Sequence, residues 1–139
     1  MRDMRIVVAA KPDVDQPWVA ESVISLAKQT GAEVTVVSVD AVELERLAAV
    51  PRSVFTQAAE QAAATMARRV GEAGIVVSHT VVAGRPVDGI LDTADRHNAD
   101  LIVVGATTKP AVAERLLGSV PLDLVKRSTR PVVVITNPR

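Results

Sequence analysis

Gly105, Thr108, Gly118 and Ser119 are the residues of this 139-residue chain whose types and spacing come nearest to a binding device. Leu101-Ile102-Val103-Val104 reads as an apolar strand that stops at Gly105, and after an aperiodic stretch the pair Gly118-Ser119 opens the next helix. A strand end that leads into a helix N-terminus sets unpaired backbone N–H groups and the positive end of the helix dipole over the carboxyl edge of a sheet, where an anion can sit. Gly118 allows close backbone approach, and Ser119 either caps the helix or gives its hydroxyl to a phosphate. Both roles fit the one serine.

Other reactive chemistry is sparse. There is no cysteine, which excludes disulfides, thiol catalysis and thiolate metal sites. His79 falls inside a strand and His97 at a helix end, at unrelated positions that suit structural or surface histidines better than a base or a metal ligand. Asp13 and Asp15 follow the first strand; solvation accounts for Asp13, and Asp15 reads as the N-cap of the next helix. Ser119 has no histidine near it in sequence. No catalytic residue and no metal-ligating set is expected, and any turnover would be slow.

Composition narrows the partners. Lys plus Arg and Asp plus Glu both number 16, so the formal charge is zero, and no basic stripe marks a nucleic acid or a membrane surface. Trp18 and Phe55 are the only aromatic residues, which removes the stacking platforms used for single-stranded nucleic acid or a flavin ring. No apolar run approaches the ~18 residues of a membrane span, and no signal-peptide pattern precedes the first strand. A cytoplasmic protein with one domain over residues 1–139 is the expectation.

The elements that must position these residues alternate. Met4 to Ala10 is a strand, and Pro17 opens a helix with Val19, Val23, Leu26 and Ala27 on one face and Gly31 at its end. Glu33 to Val39 is the second strand, and 40–51 reads as a long connection. Ser53 is expected to cap a helix to Ala73 that buries Phe55, Ala59, Ala62, Met66 and Val70. Ile75 to Val82 is the third strand, Pro86 starts a helix that ends near His97-Asn98, and Leu101 to Val104 is the fourth strand. Ser119 starts the last helix, and Pro131 to Ile135 is the fifth strand.

Strict alternation of strand and helix predicts an α/β fold, a five-stranded parallel sheet with helices on both faces. In the order 3-2-1-4-5, the crevice where strand order reverses lies between strands one and four, with 11–16 and 105–118 at its lip. Mechanism excludes several proteins of related architecture. Lys11-Pro12-Asp13-Val14-Asp15-Gln16-Pro17 is no Ser/Thr-rich flavin phosphate loop, Val82-Ala83-Gly84 lacks a phosphoacceptor aspartate, and neither a Walker A loop nor G-x-G-x-x-G occurs.

The chain resembles the universal stress protein family along nearly its whole length. The resemblance is carried by Gly84-Arg85-Pro86-Val87-Asp88-Gly89-Ile90-Leu91, by Ala99 to Gly105, and by Arg115-Leu116-Leu117-Gly118-Ser119-Val120 continuing to Arg130 to Ile135. It implies the Rossmann-like fold of the adenine nucleotide alpha hydrolase type. Members of the nucleotide-binding branch carry Gly, two residues, Gly, nine residues, then Gly-Ser or Gly-Thr; here Gly105 and Gly118-Ser119 keep that spacing and Thr108 replaces the middle glycine. The same branch ends its first strand with an aspartate, where this chain has Lys11, a cation that favours an anion over a sugar hydroxyl.

What the resemblance implies is an adenine nucleotide such as ATP, AMP or cyclic AMP, accompanied by Mg if it is a triphosphate. Its phosphates would lie at Gly105, Gly118, Ser119 and Val120, and its base between the ends of strands one and two, near Ala10 and Val39. Thr108 and Val104 complete the expected site with Lys11. The resemblance also implies a homodimer through strand five. The alternative, favoured by Lys11 and Thr108, is a ligand-free dimer of the same family that engages another protein in stress or growth regulation.

Overall fold

The computed structural model describes residues 3–41, 51–106 and 119–137. Its strands are β1 (Arg5–Ala9), β2 (Glu33–Ala41), β3 (Val77–Gly84), β4 (Leu101–Gly105) and β5 (Val132–Ile135). The helices are α1 (Pro17–Thr30), α2 (Arg52–Glu72), α3 (Pro86–Arg96) and α4 (Ser119–Arg127). All pairings are parallel, as the strand–helix alternation predicts, and the sheet order is β3-β2-β1-β4-β5, the order expected to put the crevice between the first and fourth strands.

The period of two along a strand sorts the valines onto two faces. Ile6, Val8, Val34, Val36 and Val103 turn toward α1 and α2, packing with Val19, Val23, Met66 and Val70. Val7, Val37, Val39, Ile102 and Val104 turn the other way and meet Val87, Ile90 and Ala94 of α3 and Leu124 of α4. Both faces of the central strands are therefore covered, which is why β1 and β4 read as unbroken apolar runs.

Close packing requires Gly89. A Cβ there would stand 2.8 Å from Val39 Cγ2 and 2.9 Å from Val82 Cγ2, so α3 lies nearer to β2 and β3 than any residue with a side chain allows.

Several local expectations are corrected. Asp15 does not cap α1: Gln16 occupies the N-cap with no side-chain cap bond, Pro17 stands in the first turn, and Asp15 binds Arg69 instead. Ser53 does not cap α2, which starts at Arg52 after Pro51; the extended backbone of Pro51 starts the helix without a side-chain cap. The second strand runs on to Ala41, because the β2–β3 ladder continues through Asp40↔Ala83 and Ala41↔Gly84. That same ladder moves the third strand to Val77–Gly84. The expected connection beyond Ala41 lies outside the described residues over 42–50. Gly31 ends α1 in the left-handed conformation with φ 72°, as a C-terminal glycine should.

Candidate functional site

Parallel connectivity brings the carboxyl ends of the strands and the N-termini of the following helices to one edge of the sheet. A cavity of about 720 Å³ opens there, bounded by the ends of β1, β2 and β4 and by the starts of α1, α3 and α4. Six of the residues expected in a site line it together: Ala10, Lys11, Val39, Val104, Gly105 and Val120. Thr108 and Gly118 lie outside the described residues, as does the side chain of Ser119; the backbone of Ser119 begins α4, as expected.

The β1 end is held firmly. Ala10 N–H donates to the Val37 carbonyl at 2.8 Å, and the buried hydroxyl of Ser38 donates to the Ala10 carbonyl at 2.7 Å. On the β2 side, Thr56 Oγ1 donates to Asp40 Oδ2 at 2.7 Å, tying the first turn of α2 to the buried end of that strand. Phe55 and Ala58 of α2 thereby join the wall.

Two characters divide the lining. Val37, Val39, Val87, Ile90 and Val104 form an apolar side that belongs to the core under α3 and α4. Lys11, Asp13, Gln16, Arg85, Asp88, Asp123 and Arg127 make the remainder polar, with cations and anions mixed. Arg127 Nη2 stands 2.5 Å from Asp88 Oδ1, an ion pair that joins the end of α4 to the first turn of α3. The positive ends of the helix dipoles of α1, α3 and α4 converge here, which favours an anionic group.

A second, smaller cleft of about 310 Å³ adjoins the first between the β1–α1 turn and α2. It shares Ala10, Asp13, Gln16 and Ala58 with the larger cavity and is closed at the far end by Asp15 and Arg69. The Arg69 guanidinium holds the Asp15 carboxyl below its usual range through two hydrogen bonds.

Sequence reasoning missed Phe55, Arg85, Asp88 and Arg127, and gave Gln16 a place on the 11–16 lip without a role. The signal was present in the topology: in a parallel β/α fold each residue at a helix start faces the carboxyl edge, and Gln16 and Arg85 immediately precede the prolines that open α1 and α3. His79 and His97 are exposed and stand apart from the cavity lining. Among the described residues, no group of three His, Cys, Asp or Glu side chains could hold a metal ion, and no helix is long and apolar enough to cross a membrane.

The chain is an open, doubly wound α/β sheet in the order 3-2-1-4-5, with a cavity at the point where the strand order reverses. The universal stress protein family matches residues 4–136, and the chain belongs to that family. Universal stress protein Rv1636 of Mycobacterium tuberculosis is 39% identical over 59 residues, 42% of this chain; the match spans 40% of that relative's length. Universal stress protein MJ0531 of Methanocaldococcus jannaschii is 27% identical over 128 residues, 86% of this chain and 74% of that protein.

Solved structures share the fold. A universal stress protein from Archaeoglobus fulgidus in complex with dAMP superposes with a TM-score of 0.73 at 24% identity, over 97% of this chain and 99% of that one. A universal stress protein in complex with cAMP gives 0.69 at 26% identity, over 96% and 97%.

Proposed function

We propose that this protein binds an adenine nucleotide in the crevice between β1 and β4. The observation that carries the reading is the common cavity around Ala10, Lys11, Val39, Val104, Gly105 and Val120, large enough for a nucleotide and lined on one side by valines and on the other by charges. The flat base suits the apolar side near Val39; the phosphates suit the helix N-termini and Lys11. With this goes the sequence-based assignment of Gly118 and Ser119 to the phosphates, and of Thr108 to the same lip. A magnesium ion would enter with a triphosphate, held chiefly by its oxygens. Nucleotide complexes of similar proteins support the ligand class. The function is that of a cytoplasmic sensor or store of nucleotide in a stress response.

The homodimer belongs to the same proposal. β5 is the last strand of the sheet and pairs with β4 alone among the described strands, while Val134 is 37% exposed and Leu122 and Val125 of α4 are each 56% exposed. An unpaired apolar edge of this kind calls for cover by a second copy. These exposed residues also favour a second reading, an interaction protein whose dimer engages another protein without nucleotide.

Mass spectrometry of ligand released from freshly purified protein, with thermal-shift titration by ATP, AMP and cyclic AMP, separates the two. A nucleotide at 100 times its Kd should add about 2.7 kcal/mol of stability. No released nucleotide and no shift with any of the three would leave only the interaction reading.

A further inference from the structure

Gln16 is 7% exposed and lies on the wall of both cavities. Its backbone carbonyl accepts from Val19 and Ala20, but among the described residues its carboxamide takes no hydrogen bond. The residue is more than nine-tenths enclosed while its carboxamide opens onto the cavities it lines, which leaves the amide placed to bond a polar ligand or water there. Gly105 makes room for it. A Cβ at Gly105 would stand 2.7 Å from Gln16 Nε2 and 2.8 Å from Val19 Cγ2, so the amide lies directly over the end of β4.

We propose that Gln16 is a specificity-determining residue of this crevice, and that its carboxamide hydrogen-bonds the sugar hydroxyls of the bound nucleotide. The inference rests on the nucleotide reading above and deepens it.

The sugar is the part of the ligand that fits. Gln16 Nε2 and Val19 Cγ2 stand over Gly105, and Val19 belongs to the α1 side of the sheet, whereas Val37, Val39, Val104 and Ile90 belong to the other, so the amide stands apart from the valine wall that suits a base. A phosphate is better served by the cations Lys11 and Arg127 on the same lining, because the amide oxygen would oppose it. A carboxamide presents one acceptor and two donor hydrogens in a fixed plane, and a pair of neighbouring hydroxyls both donates and accepts. Lys11, which ends the β1 side, has no acceptor to offer, and Gln16 supplies one beside it.

The test compares ATP with 2′,3′-dideoxy-ATP by calorimetry on the full chain, as wild type, Gln16→Met and Gln16→Glu. Methionine keeps the bulk over Gly105 and Val19 but removes the amide; glutamate keeps the shape and the acceptor. Wild type should prefer ATP about tenfold, since a site built to bond a hydroxyl rejects the analogue that lacks it. Gln16→Met should lose the preference with its dideoxy affinity within about twofold of wild type, while Gln16→Glu should retain it.

Equal binding of the two nucleotides by wild type would overturn the assignment of Gln16 and leave the nucleotide reading intact. So would a preference that survives in Gln16→Met. If wild type binds neither nucleotide, the nucleotide reading fails and this inference falls with it. Should Gln16→Met fail to fold, Gln16→Glu decides: loss of the ATP preference in a folded Gln16→Glu protein overturns the role, and its retention supports it.

Discussion

Arg69 grips Asp15 with both ends of its guanidinium, Nη1 to Oδ1 at 2.5 Å and Nη2 to Oδ2 at 2.9 Å. The pair fastens the β1–α1 turn, which carries Lys11, Asp13 and Gln16, to the last turn of α2. Asp15 is 60% exposed and Arg69 32% exposed, so water screens the attraction and Asp15→Asn should cost under about 1 kcal/mol. The sign of its pH dependence is fixed by the lowered carboxyl pKa. The contribution is complete above the unfolded value of about 3.9 and is lost as pH falls through the lower folded value. Melting curves of wild type and Asp15→Asn should differ at neutral pH and converge on acidification below about pH 4; a gap that widens there would contradict the assignment.

Packing at Gly89 makes a second prediction. Gly89→Ala would ordinarily strengthen a helix by about 1 kcal/mol. Here the added methyl falls within 2.9 Å of two valine methyl groups that the sheet holds in place. Overpacking should dominate, for a net loss of about 1–2 kcal/mol by urea denaturation. A stabilised variant would show that α3 can move off the sheet at no cost.

Lys11 bears on the phosphates. Lys11→Met should weaken ATP severalfold and AMP less, because the lost attraction grows with ligand charge. Raising the ionic strength should narrow the difference between wild type and variant. Identical losses for ATP and AMP at every salt concentration would remove Lys11 from the phosphate end.

The edge of β5 tests the dimer. Val134 pairs in register with Val104 on one side and is partly exposed. Val134→Lys places a charge on that edge and should shift a dimer to monomer in sedimentation analysis. A dimer unchanged by Val134→Lys and by Leu122→Lys would place the association surface elsewhere.

Ser38 tests the framework of the site. Ser38→Ala removes the donor to the Ala10 carbonyl and should cost about 1–2 kcal/mol in denaturation. Nucleotide affinity should fall with it, since Ala10 and Lys11 lose part of their support.

Elements and their order were legible in the chain itself. Val7, Val8, Ile102 and Val103 in uninterrupted runs, Pro17 and Pro86 at helix starts and Gly31 at a helix end are signals read within a turn or a strand, and local sterics decide them. Strand alternation with helices then limits the sheet to few arrangements, and the order 3-2-1-4-5 puts Lys11 and Gly105 on one lip, whereas Ala10, Val39 and Val120 were assigned from the resemblance to the family. The partner of Asp15 could not be read this way. Its carboxylate suited a cap, and only the approach of α2 brings Arg69, 54 residues away, within reach. Gln16 stood at the end of the expected 11–16 lip, but an amide beside a proline names no role until β4 arrives beneath it with a glycine. Pattern depends on neighbours along the chain, whereas pairing, burial and cavity shape depend on residues that meet only when the sheet has closed.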